Sequence, residues 1–129
     1  MNTFKKILLS SVMAMSLATL SFTAAAVAKA SHEEVKSAID NTLAKVEEAN
    51  RALANGTDNE KLIDMVTDAR QLQKDISNSI LDVKRNQASN VLKQARTALL
   101  NNDLQAAKES LTDAVNRYKT IQDLYASNH

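Results

Sequence analysis

The chain has 129 residues, one Gly, no Pro, no Cys and no Trp, and sixteen Lys and Arg against fifteen Asp and Glu. Without cysteine it can form no disulfide, no thiol nucleophile and no lipid-modified N-terminal Cys. The near-balanced charge lacks the clustered cations that phosphate neutralisation requires, so nucleic acid is excluded as a principal ligand.

The N-terminus divides into three regions. Lys5 and Lys6 make a positive start, Ile7 to Leu20 is apolar apart from Ser and Thr, and Ala24 to Ala30 is small and Ala-rich. This is the arrangement of a cleavable signal peptide covering residues 1–30. The tripeptide Ala28-Lys29-Ala30 places cleavage before Ser31, and Ala24-Ala25-Ala26 is a second candidate. An uncleaved anchor is the competing reading, since Ile7 to Ala28 is 22 residues long. Its second half is only weakly apolar and runs into the cleavage tripeptide. The expectation is therefore an exported, periplasmic protein. Removing Lys5, Lys6 and Lys29 leaves thirteen basic residues against fifteen acids, a net charge of −2.

Residues 31–129 should form one domain. Alternation with period two is absent and helix formers dominate, which predicts an all-α fold. The first helix is expected over His32 to Ala54. Val35, Ile39, Thr42, Val46, Ala49 and Leu53 form its seam at steps of four and three. Asn55-Gly56 ends it, with Gly able to take the left-handed conformation.

The second helix is expected to start at Thr57 or Asp58, with Thr57 and Glu60 forming a capping box. Its seam is Leu62, Val66, Ala69, Gln73 and Ile76, with Met65 and Leu72 beside it. The next turn is placed at Ser77-Asn78-Ser79, with Ser79 capping the third helix. The pattern also tolerates a longer second helix turning near Asn86 to Asn90. The third helix carries Val83, Ala88, Val91, Leu92, Ala95, Ala98 and Leu99 and ends at Asn101-Asn102. Asp103 then sets a negative charge at the positive end of the fourth helix, whose seam is Leu104, Ala107, Leu111, Ala114, Tyr118, Ile121 and Tyr125.

An internal repeat accompanies these elements. Arg51 to Ala69 aligns with Arg96 to Ala114 at a spacing of 45 residues, with Arg, the turn Asp and a final Thr-Asp-Ala in common. Each half spans a helix–turn–helix corner. Two stacked αα-hairpins, closing an up-down-up-down four-helix bundle, account for this.

Catalytic chemistry finds no support in the inventory. His32 and His129 lie at the two ends of the domain, where positioning is poor. No Gly-rich phosphate loop is present. Adjacent acids such as Glu33-Glu34 and Glu47-Glu48 diverge around a helix. Met65, the only Met after the leader, has no internal His opposite it and reads as gap-filling core rather than a haem ligand.

Two metal readings arise. Asp64, Asp68 and Asp75 fall within one 40° sector at about 100° per residue. Such a stripe attracts hard cations, yet it lies opposite the seam, where carboxylates on an open face are simply solvated. His32 would be the second residue after cleavage, so its imidazole, the free amine and an amide nitrogen can chelate a divalent metal such as Cu or Ni in a tetragonal site. The plain reading is an exposed histidine at a ragged end.

With its leader, four amphipathic helices and corners such as A-L-A-N-G-T-D-N-E-K-L and A-L-L-N-N-D-L-Q-A-A-K-E-S-L-T-D-A, the chain resembles the small metal-binding protein family of exported bacterial proteins. The resemblance implies a four-helix bundle that binds divalent transition metals through helix-borne histidines. This chain has no His between Glu33 and Asn128. An inherited metal function would fall on His32, His129 and the carboxylates Asp64, Asp68 and Asp75. The alternative is a periplasmic protein-interaction or envelope-stress module that uses Ala-lined grooves between its hairpins.

Overall fold

Four helices follow one another in a computed structural model that describes residues 31–128: α1 (His32–Ala54), α2 (Asn59–Leu72), α3 (Asp82–Leu100) and α4 (Leu104–Ser127). A 3-10 turn, Gln73–Asp75, extends α2. The signal peptide expected over residues 1–30, and His129, lie outside the described residues. Among the described residues there is no strand, and no helix is long and apolar enough to cross a membrane.

Contacts run from α1 to α2, α2 to α3, α3 to α4 and α4 back to α1. This is the ring of an up-down-up-down four-helix bundle made from two αα-hairpins. The lower end holds the two tight corners, residues 55–58 and 101–103. The upper end holds the start of α1, the 73–81 link and the end of α4.

Both lower corners use the same device. After α1, Gly56 is left-handed (φ 77°), Thr57 N donates to Ala52 O at 3.0 Å and Gly56 N to Leu53 O at 3.2 Å. After α3, Asn102 is left-handed (φ 57°), Asp103 N donates to Ala98 O at 2.8 Å and Asn102 N to Leu99 O at 3.1 Å. Each is a Schellman closure that satisfies carbonyls at a helix end. The corners are tied together by Asn59, whose Nδ2 donates to Leu99 O at 3.1 Å and to Asn102 Oδ1 at 2.9 Å.

The repeat is visible in the packing, in two registers. Spaced by 45, Leu62, Val66, Ala69, Gln73 and Ile76 of the first hairpin match Ala107, Leu111, Ala114, Tyr118 and Ile121 of the second, and all ten are buried. In the preceding helices the matching spacing is 46: Val35, Thr42, Val46 and Ala49 pair with Leu81, Ala88, Leu92 and Ala95, again all buried. The corner explains the slip. Gly56 and the cap Asp58 are separated by Thr57, whereas Asn102 is followed at once by the cap Asp103.

Several local expectations need correction. Helix α2 begins at Asn59 with Asp58 at its cap and no side-chain cap bond, so the Thr57–Glu60 capping box does not form. Thr57 is already used by the Schellman closure. Ser79 does not cap α3. Leu81 stands at the cap, and Asn78 Oδ1 instead accepts from Ile80 N at 2.9 Å, an Asx turn within the link. Val83 is 67% exposed, because Leu81, seven residues before Ala88, takes the inward position. Leu104 is 48% exposed because it begins α4 where α1 ends. By contrast, Asp103 caps α4 as expected, with Oδ1 accepting from Ala106 N at 3.1 Å.

Alanine fills much of the interior. Ala49, Ala69, Ala88, Ala95, Ala107 and Ala114 are fully buried, and Tyr118 is the largest side chain with no exposure. Small residues let the helices approach closely but bury little apolar area each, so stability should be modest for a domain of this size. Met65 is half-buried against this core, as a gap-filler would be.

Candidate functional site

The seam between α1 and α4 is the junction that closes the ring, and no chain segment connects those two helices. Two open-sided grooves lie along it, one at each end.

The upper groove, about 540 Å³, is lined by His32, Lys36, Ile39 and Asp40 of α1 and by Gln122, Asp123, Tyr125 and Ala126 of α4. Helical spacing sets the α1 side, since Lys36 and Asp40 are one turn apart. Lys36 Nζ lies 2.9 Å from Asp40 Oδ2, and Gln122 Nε2 donates to Asp40 Oδ1 at 2.9 Å across the seam. These bonds hold the Asp40 carboxyl below its usual range, the Lys36 ammonium contributing most and the Gln122 amide next. The same partnership raises the Lys36 ammonium.

At the rim, the Tyr125 ring stacks on His32 with centroids 5.1 Å apart. The Tyr125 hydroxyl lies 2.8 Å from His32 Nδ1 and donates to His32 O at 3.3 Å. The first turn of α1 and the last turns of α4 are thereby joined.

The lower groove, about 520 Å³, is lined by Asn50, Arg51, Leu53 and Ala54 of α1 and by Leu104, Gln105, Lys108 and Thr112 of α4. Its lining carries two cations and no carboxylate. Exposed apolar side chains cluster in two pairs rather than in one strip: Leu100 and Leu104 at the lower corner, Ile80 and Val83 at the upper link.

The residues anticipated from sequence are distributed as follows. His32 lies in the upper groove. Asp64, Asp68 and Asp75 are exposed, and none of them lines either groove. The 3-10 turn also breaks the expected sector, because the tighter winding at Gln73–Asp75 rotates Asp75 away from the line of Asp64 and Asp68. Among the described residues, no three or more His, Cys, Asp or Glu are grouped to hold a metal ion.

Sequence reading did not single out Asp40, Gln122 and Tyr125 as site residues. The Lys36–Asp40 spacing was a usable signal for one of them. The other two required knowing that the end of α4 folds back beside the start of α1. In the upper groove Lys36 and Gln122 engage the Asp40 carboxylate, and the Tyr125 hydroxyl stands beside His32 Nδ1.

No protein-family model, no curated protein and no solved structure matches the chain.

Proposed function

We propose that the chain is an exported, non-catalytic binding protein of the periplasm that takes a protein partner along the α1/α4 seam. One observation carries this reading: both grooves lie on the single helix pair that no loop constrains. Interhelical furrows with an apolar floor and a polar rim suit a helix or extended segment of another protein. The lower groove supplies the apolar floor through Leu53, Ala54 and Leu104, with Arg51 and Lys108 as rim.

The test is site-specific photocrosslinking in the periplasm. Crosslinkers at Gln105 and Gln122 should trap a partner, whereas crosslinkers at Asp64 and Asp68 on the outer face of α2 should not. Equal labelling from both faces would remove the seam from consideration.

A second reading is weak divalent metal binding, with Cu(II) or Ni(II) at the start of the domain. Its support is that His32 shares a groove with the Asp40 and Asp123 carboxylates. An N-terminal chelate closes through imidazole Nδ1, which is the nitrogen facing the Tyr125 hydroxyl, so metal and tyrosine compete for one atom. His129, Asp64, Asp68 and Asp75 complete the candidate ligands in this reading. Calorimetric titration of residues 31–129 with Cu(II), Ni(II) and Zn(II), beside a His32→Ala/His129→Ala variant, tests it. Micromolar binding lost in the variant supports a metal role, and no binding leaves the protein-interaction reading alone.

A further inference from the structure

Beneath the 73–81 link the core changes character. Gln73 is fourteen residues past the start of α2, Tyr118 fourteen past the start of α4, and Arg85 fifteen before the end of α3. At about 1.5 Å per residue all three stand roughly 21–23 Å above the lower corners, so they share one layer of the bundle. Arg70 lies one turn below Gln73 on the same face of α2. In the repeat, Gln73 and Tyr118 are equivalents at the 45-residue spacing, and Arg85 stands where α1 has the buried Ile39. A polar layer therefore interrupts an interior that is otherwise almost wholly Ala, Val, Leu and Ile.

The layer is incompletely bonded. Tyr118 is 0% exposed and Gln73 6%. Three buried atoms, Arg70 Nε, Gln73 Oε1 and the Tyr118 hydroxyl, have no hydrogen-bond partner. Two of these are donors. Arg85 is held in place by Nη1 donating to Ile76 O at 3.1 Å, with Nη2 3.7 Å from Asp82. Arg70 forms no ion pair among the described residues. Burial drives the Tyr118 phenol upward, against the opposing pull of Arg85 and then Arg70, so both guanidinium charges act on that hydroxyl. Asp82 offsets the Arg85 charge, while among the described residues no carboxylate lies within ion-pair distance of Arg70. A buried donor without an acceptor costs about 1–3 kcal/mol.

We propose that this layer is a binding site for a small free carboxylate, of formate or acetate size. The planar guanidinium of Arg70 matches a carboxylate's two oxygens, and the Tyr118 hydroxyl supplies a further donor. Gln73 joins by rotating its terminal amide half a turn. That brings Nε2 inward and turns Oε1 toward the less buried side. The ligand enters between α2 and α3, the adjacent pair in sparsest contact, past the partly exposed Arg85. None of Arg70, Gln73, Tyr118 and Arg85 lines either seam groove, so the site is independent of the α1/α4 seam.

Thermal unfolding of residues 31–129, which include the whole compact unit His32–His129 with its four helices, provides the test. Sodium formate is raised from 1 to 100 mM, with ionic strength held by sodium HEPES, whose bulky sulfonate cannot enter. A ligand that binds only the folded state raises Tm as its concentration passes Kd, here by about 5 °C. The expected result is that rise in the native sequence, most of it retained in Arg70→Lys and lost in Arg70→Gln and Tyr118→Phe. A control at Lys61→Gln removes one exposed charge outside both grooves and should keep the full response. Line broadening of carbon-13 formate gives a direct readout if a variant is too unstable to melt cleanly. No rise in the native sequence would mean that internal water alone satisfies the layer and would overturn the proposal. An equal rise in Arg70→Gln would overturn it as a general salt effect.

Discussion

The Tyr125 hydroxyl lies 2.8 Å from Nδ1 of His32 while the two rings stack, which fastens the end of the fourth helix to the start of the first. Helix ends ordinarily fray. Tyr125→Phe keeps the ring and removes the hydroxyl, at a cost of about 0.5–1.5 kcal/mol. Amide hydrogen exchange should accelerate in the first turn of α1 and the last turn of α4, and not around Val46 or Leu111. Uniform acceleration would show that the contact supports the whole bundle rather than its ends.

Asp58 and Asp103 are equivalent in the repeat and both stand at helix N-caps, but only Asp103 accepts a cap bond. Asp103→Ala should lower stability by about 1 kcal/mol. Asp58→Ala should stay within about 0.5 kcal/mol of the native value. Paired urea melts decide this, and equal losses would contradict the geometry.

The left-handed corners give opposite expectations. Gly56 has φ 77° and open space around its missing Cβ, so Gly56→Ala suffers backbone strain alone, about 1 kcal/mol. Asn102→Gly relieves the same strain at φ 57° and should be neutral or slightly stabilising, since the Asn102 side chain also accepts from Asn59.

Asp40 predicts an acid-side transition. Its carboxyl is held below its ordinary range by Lys36 and then Gln122, so the folded state binds this proton more weakly than the unfolded chain. The resulting stabilisation is present above the unfolded pKa, about 4, and is lost as pH falls through the lower folded value. Solvent screening keeps it under about 1 kcal/mol. Asp40→Asn should flatten the stability profile below about pH 4 and leave the profile near neutrality nearly parallel to the native one. At the alkaline end the sign reverses. Burial raises the Tyr118 phenol, so stability declines as pH rises above the ordinary tyrosine value, and the Tyr118 phenolate absorbance should emerge together with unfolding.

Ala114 is fully buried on α4 beside Leu111 and Val115. Ala114→Leu forces extra volume between close helices and should cost about 1–3 kcal/mol. Leu62→Ala should cost about 2–5 kcal/mol through the cavity it leaves.

Much of the architecture could be read from periodicity. The α1 boundaries, the Gly56 stop, the Asp103 cap, the 77–79 turn and nearly every seam position follow from spacing and turn chemistry. The errors have a common origin. Val83 and Leu104 fit an apolar pattern but stand at helix starts, where Leu81 takes the inward position in place of Val83 and α1 ends beside Leu104. Thr57 and Ser79 fit capping patterns but sit where the chain is committed to another closure. Of the upper groove, His32 was singled out from sequence and Asp40 was within reach through its spacing from Lys36, whereas Gln122 and Tyr125 were not. The polar layer needs three helices at the same height, and Gln73 by itself reads as one more seam residue.

The closeness of His32 to Tyr125 bears on how the chain may be ordered. If the ends of α1 and α4 are already neighbours, a short peptide can join them without moving either helix, and the chain can be opened instead at Ser79 in the exposed link. The circular permutant would run α3, α4, α1, α2 with the same packing. Which hairpin is synthesised first is then a matter of descent, not of stability.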